Sequence, residues 1–104
     1  MFFRMKFDKE MKEVHQEMIE GKDFFLLDVR EYEEYEEGHL PGAICIPLQT
    51  VKQQIDAIPN DKPVYVYCRS GQRSNACVNF LKDKGRRNVY NIGGIIYWEY
   101  EIEK

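Results

Sequence analysis

Residues 63–74, Pro63-Val64-Tyr65-Val66-Tyr67-Cys68-Arg69-Ser70-Gly71-Gln72-Arg73-Ser74, join an apolar run to a polar turn that carries a glycine and two arginines. Val64 to Tyr67 reads as a buried strand. Asn75 to Lys84, with Ala76, Cys77, Phe80 and Leu81, reads as a helix closed by Gly85. A strand, a tight turn and a helix in this order make half of a βαβ unit, which implies right-handed crossovers and a mostly parallel sheet between helices. Cys68 then lies just beyond the carboxyl end of a strand, where such sheets bind ligands.

The same alternation extends on both sides. Upstream, Met11, Val14, Met18 and Ile19 follow helical spacing, with Asp8 as N-cap and Gly21 as stop. Phe24-Phe25-Leu26-Leu27-Asp28-Val29 is a second buried strand, and Asp28-Val29-Arg30 falls at its carboxyl end. Glu31 to Glu37 predicts one or two acidic helical turns ended by Gly38. Ala43-Ile44-Cys45-Ile46 is a short strand between Pro41-Gly42 and Pro47. Leu48, Val51, Ile55 and Ile58 predict a further helix ended by Pro59-Asn60-Asp61. Downstream, Asn88-Val89-Tyr90-Asn91 is a last short strand, and Gly93-Gly94 opens a terminal helix or turn that holds Trp98. Arg86-Arg87 precede a strand, so they belong to the edge opposite Cys68 and read as a solvated face.

The whole chain, 1–104, fits one domain with enough length to bury a core. A hydrophobic content of 43% and a charged content of 32% describe an ordinary globular protein. The formal net charge of −3 gives no global basis for binding nucleic acid. Three cysteines, Cys45, Cys68 and Cys77, show neither a disulfide framework nor zinc-ligand spacing. No segment approaches the roughly 20 apolar residues that span a bilayer, and Met1 to Phe7 lacks a signal-peptide core. A cytoplasmic protein without membrane attachment is the expectation.

Chemistry concentrates at Cys68. A tight loop turns successive backbone N–H groups inward and forms an anion nest, and the following helix adds the positive end of its dipole. Gly71 permits a positive φ and close approach. Ser70 and Ser74 can supply hydroxyls, while Arg69 and Arg73 supply permanent charge. These features favour thiolate over thiol and bring the pKa below its free value of about 8.5. A negative adduct on the sulfur would meet the same donors. Neither a metal nor an organic cofactor is required. An inert core thiol is the competing reading, which the six polar, charged or glycine residues after Cys68 disfavour.

Three motifs in order make the chain resemble the single-domain rhodaneses of the rhodanese-like sulfurtransferase family. They are Leu27-Asp28-Val29-Arg30-Glu31, Gly38-His39-Leu40-Pro41-Gly42-Ala43-Ile44 and the Cys68–Ser74 loop; Ile92-Gly93-Gly94 followed by Trp98 is a weaker fourth. The resemblance implies a three-layer α/β sandwich with a mostly parallel five-stranded sheet and helices on both faces. It implies that Cys68 accepts a sulfane sulfur as a persulfide, cradled by Arg69, Ser70, Gly71, Gln72 and Arg73. The donor would be thiosulfate or a persulfide such as that of glutathione, and the acceptor a thiol or partner protein. Cysteine phosphatases, including those on this fold, carry one more residue between cysteine and arginine. The four residues between Cys68 and Arg73 make a tighter ring that suits sulfur and disfavours phosphatase or arsenate-reductase chemistry. A sulfur-relay or regulatory module, which loads Cys68 but passes sulfur only within a complex, remains the rival reading.

The remaining polar residues read as structural. Asp28 and Arg30 are expected to make polar contacts near the loop. His39 should bond local backbone rather than act as a base. Cys45 and Cys77 read as packed core, Trp98 as an anchor for the C-terminal segment, and the Glu31–Glu37 run as a solvated face that would repel anionic donors or orient a basic partner.

Overall fold

The computed structural model describes residues 6–104. In chain order its elements are α1 (Met11–Ile19), β1 (Phe25–Asp28), α2 (Tyr32–Glu37), β2 (Ile44–Cys45), β3 (Val64–Cys68), α3 (Gln72–Asp83) and β4 (Val89–Gly94). Short 3₁₀ turns occupy Leu48–Thr50, Ile55–Ala57 and Ile95–Tyr97. The strands form one parallel sheet in the order β2-β1-β3-β4.

Period-two alternation on β3 divides the core into two layers. Val64, Val66 and Cys68 face α3 and pack with Cys77, Val78 and Leu81, together with Val51 and Ile58. Tyr65 and Tyr67 face the other way, toward Met11 and Val14 of α1, Leu40, Ala43 and Trp98. Every residue of β3 is buried, and β3 lies between β1 and β4, so Cys68 ends an interior strand of the sheet.

Three expectations change. The sheet has four strands among the described residues, not five. Where a fifth would lie, Asp8 donates one backbone hydrogen bond to the Asn91 carbonyl (2.8 Å) on β4, and no ladder follows. Asp8 therefore does not cap α1; Glu10 does, in a reciprocal capping box with Glu13. The segment 48–58 is not one helix. Val51 and Ile58 are buried as their spacing required, but the i→i+3 bonds of two 3₁₀ turns achieve this equally well. Gly93 and Gly94 extend β4, pairing with Tyr67 and Cys68 after a register shift opposite Val66 and Tyr67, and Gly94 then caps the terminal 3₁₀ turn that ends at Trp98, as expected.

Arg86 also departs from a solvated role. Its guanidinium donates to the carbonyls of Ile58 (2.8 Å), Ile55 (3.2 Å) and Pro59 (3.4 Å), closing the end of the second 3₁₀ turn. Arg87 is exposed.

Candidate active site

Cys68 ends β3, and Gly71, three residues on, is the N-cap of α3. An N-cap side chain normally accepts the N–H of the third helical residue. Glycine has no side chain, and the sulfur of Cys68 takes its place. Sγ accepts the N–H of Ser74 at 3.4 Å and that of Gly71 at 3.1 Å. The thiol thus occupies the capping position of a twelve-residue helix, where the dipole favours negative charge.

Backbone geometry makes this possible. Gly71 has φ +106°, and a Cβ there would lie 2.5 Å from the Phe7 ring. Gly94 lets β4 run against the loop: a Cβ would sit 2.0 Å from the Arg69 carbonyl oxygen and 2.5 Å from the Ser70 nitrogen. Ile96 N–H donates to the same Arg69 carbonyl at 3.2 Å. The loop packs against the Gly93-Gly94 backbone, and the Phe7 ring lies over both Gly71 and Gly93.

A buried polar chain continues behind the sulfur. Ser74 Oγ lies 3.5 Å from Sγ and donates to Asn91 Oδ1 at 2.7 Å, with the Gly93 carbonyl at 3.3 Å. Asn91 is held in orientation because its Nδ2 donates to the Gly71 carbonyl (3.1 Å) and its Oδ1 accepts from Gly93 N–H (3.0 Å). Asp8 Oδ2 in turn accepts the Asn91 N–H at 2.7 Å. Burial raises the Cys68 pKa, but the Ser74 hydroxyl and the N–H groups of Ser74, Gly71 and Ser70 outweigh it and bring the thiol below its ordinary value. Cys45 and Cys77, with burial and no comparable donors, are each pushed up to about 12.

The two loop arginines are treated differently. Arg69 is exposed, and its guanidinium makes no ion pair with any described residue. Arg73 turns to α2, where both of its terminal nitrogens donate to Glu34 (2.7 and 3.0 Å). These bonds hold the Glu34 carboxyl down at about 2. Gln72 is exposed, and Ser70 is half-buried.

Asp28 and Arg30 pair with each other. The fully buried Asp28 carboxylate receives Arg30 N–H (2.9 Å), Nε (3.0 Å) and Nη2 (2.7 Å), and Nη2 also donates to the Gly38 carbonyl. His39 pairs its Nδ1 with the Tyr35 carbonyl at 2.9 Å and stacks on the Tyr35 ring. Trp98 donates to the Glu101 carbonyl at 2.8 Å. Cys45 donates weakly to the Arg30 carbonyl, and Cys77 is wholly buried.

A model of the rhodanese-like domain matches residues 10–101. The chain belongs to the rhodanese-like family. It is 33% identical over 90 residues to a sulfurtransferase of Allochromatium vinosum, covering 86% of this chain and 84% of that one. It is 43% identical over 79 residues to the uncharacterized protein YqhL of Bacillus subtilis, covering 75% of this chain; it spans only 63% of YqhL. Its fold is similar to the crystal structure of a rhodanese-like domain protein from Staphylococcus aureus, with a TM-score of 0.83, 29% identity and coverage of 91% of this chain and 94% of that one. The family match agrees with the α/β fold above. No helix among the described residues is long and apolar enough to cross a membrane.

Glu34, Asn91, Phe7 and Asp8 are the residues around the loop that sequence reasoning missed. Glu34 was hidden in a run of similar carboxylates. Asn91, a polar residue between Val89 and Ile92, carried a readable signal: a buried strand position that must find partners.

Proposed function

We propose that this protein is a sulfurtransferase in which Cys68 takes a sulfane sulfur from a small donor and passes it to a thiol or protein acceptor. The observation that carries this reading is the sulfur at the α3 cap, held by the N–H groups of Gly71 and Ser74 and lowered in pKa. In the loading step the Cys68 thiolate attacks the terminal sulfur of thiosulfate. The S–S bond to Cys68 forms, the donor S–S bond breaks, and its electron pair leaves with sulfite. The outer sulfur then carries the negative charge, and the loop N–H groups of Arg69 to Arg73 would be its donors. Discharge reverses the pattern: a thiolate or cyanide takes the outer sulfur and Cys68 thiolate is restored, a two-step cycle with ping-pong kinetics.

Burial narrows the substrates. Cys68 is only 1% exposed, so a donor has to offer a sulfur that projects at the end of the molecule. Thiosulfate and persulfides do so; a substituted disulfide does not. The test follows thiocyanate from thiosulfate and cyanide, with intact-protein mass spectrometry of the loaded form. The expected result is turnover and one added sulfur atom, both lost in Cys68→Ser. Hydrolysis of an aryl phosphate with no sulfur ever loaded would refute the proposal. Loading without turnover to small acceptors would instead identify a relay subunit.

A further inference from the structure

The cationic loop of this protein is less cationic than its sequence suggests. Arg73 is tied by two hydrogen bonds to Glu34 of α2. Arg30 is tied to Asp28 and the Gly38 carbonyl. Glu34 stays ionised far below neutral pH, because Arg73 holds its carboxyl at about 2, so the pair carries no net charge at neutral pH. Helix α2 also carries Glu33, Glu36 and Glu37, and Glu31 caps it; all four are exposed. On the other side of the loop, the groove containing Ser70 and Gln72 has Lys6 and Lys12 balanced by Glu10 and Glu99. Among the described residues Arg69 is the loop cation without an ion pair.

We propose that Glu34 is a specificity-determining residue: by engaging Arg73 it withholds that charge from the sulfur path and biases Cys68 away from dianionic donors and toward persulfides of lower charge. This rests on sulfur loading at Cys68 and names the donor class for it. For thiosulfate, Cys68–S⁻ and S–SO₃²⁻ give Cys68–S–S⁻ and SO₃²⁻. For a persulfide, Cys68–S⁻ and R–S–SH give Cys68–S–S⁻ and R–SH. Both reactions balance without an oxidant or cofactor and share the same product. They differ in the charge that has to approach α2, and the net charge of the Glu34–Arg73 pair acts on that difference.

The experiment measures single-turnover loading of Cys68 by thiosulfate and by cysteine persulfide, and reads the ratio of the two rate constants. Glu34→Gln leaves the pair with one positive charge and should raise the ratio about fivefold at low salt. Arg73→Gln leaves it with one negative charge and should lower the ratio by a similar factor. The double variant restores a neutral pair and should return the ratio to the wild-type value. Both single-variant shifts should shrink in high salt. Glutamine at position 34 can still accept the Glu31 N–H that Glu34 accepts at 3.1 Å, so the capping box of α2 survives. If Glu34→Gln leaves the ratio unchanged, or if the double variant fails to restore it, Glu34 only braces the loop and the proposal is overturned. Absence of any added sulfur on the wild-type protein would refute loading at Cys68 itself, a different failure that the mass spectrum identifies.

Discussion

Ser74→Ala removes a hydroxyl that has one proton and three acceptors around it. Asn91 Oδ1 lies at 2.7 Å, the Gly93 carbonyl at 3.3 Å and Cys68 Sγ at 3.5 Å. Asn91 Oδ1 has no proton to give, and its orientation is fixed by the bonds to Gly71 and Gly93. While Cys68 is a thiol, the serine proton therefore rests on Asn91 and the S–H points at Ser74 Oγ. Ionisation of Cys68 draws the serine proton round to the sulfur. The thiolate gains a charge-assisted hydrogen bond of about 1.5–3 kcal/mol, and the serine relinquishes a neutral one of about 0.5–1.5 kcal/mol. The difference, about 1 kcal/mol, corresponds to about 0.7 of a pKa unit.

Ser74→Ala should therefore raise the Cys68 pKa by about 0.7 of a unit, and Ser74→Thr should restore most of it. The sign is fixed by direction: the native donors lower the pKa, so losing one moves the thiolate to higher pH. The assay is the rate of alkylation by iodoacetamide against pH. It reports on Cys68 because Cys45 and Cys77, pushed up to about 12, stay protonated over the working range. The wild-type curve should reach half-height below the ordinary thiol value of about 8.5. A midpoint unmoved or lowered by Ser74→Ala would show that the serine only accepts from the thiol. A rise beyond roughly 1.5 units would show that Asn91 does not compete for its proton.

Three further outcomes follow from the packing. Gly94→Ala places a methyl group 2.0 Å from the Arg69 carbonyl oxygen, where backbone has to move; loss of sulfur loading and a destabilisation of about 1–3 kcal/mol in urea are expected, and retained loading would show this packing to be loose. Asp28→Ala leaves the Arg30 guanidinium, 6% exposed, without its carboxylate, and should cost about 3–5 kcal/mol in the same measurement; a loss under about 1 kcal/mol would contradict the buried pair. The Glu34 carboxyl, ordinarily 4.5, titrates at about 2 in the folded chain, so its stabilisation is complete above 4.5 and disappears as pH falls through 2. Denaturation midpoints of the wild type and Glu34→Gln should keep a constant separation down to about pH 5 and converge below it; parallel curves throughout would remove the ion pair from the stability of the loop.

The position of Cys68 was legible because everything that sets it is local. Val64 to Tyr67 declare a strand, Gly71 permits the turn, and the apolar face of α3 follows within a few residues, so the position of Cys68 at a strand end and helix start needs no long-range information. What tunes that sulfur is distant in sequence. Glu34 reaches Arg73 across 39 positions and Asn91 reaches Ser74 across 17. Helical periodicity cannot single out Glu34 among Glu31, Glu33, Glu36 and Glu37, since the choice depends on how α2 docks beside the loop. The same blindness explains Arg86: its charge reads as solvated until the 3₁₀ turn at Ile55–Ala57 brings carbonyls to it. A pattern of residue types can therefore locate a cysteine at a helix cap and its family, but the charge around it is decided by pairings between elements. In this protein those pairings cancel one of the two loop arginines that composition alone would have counted toward anion binding.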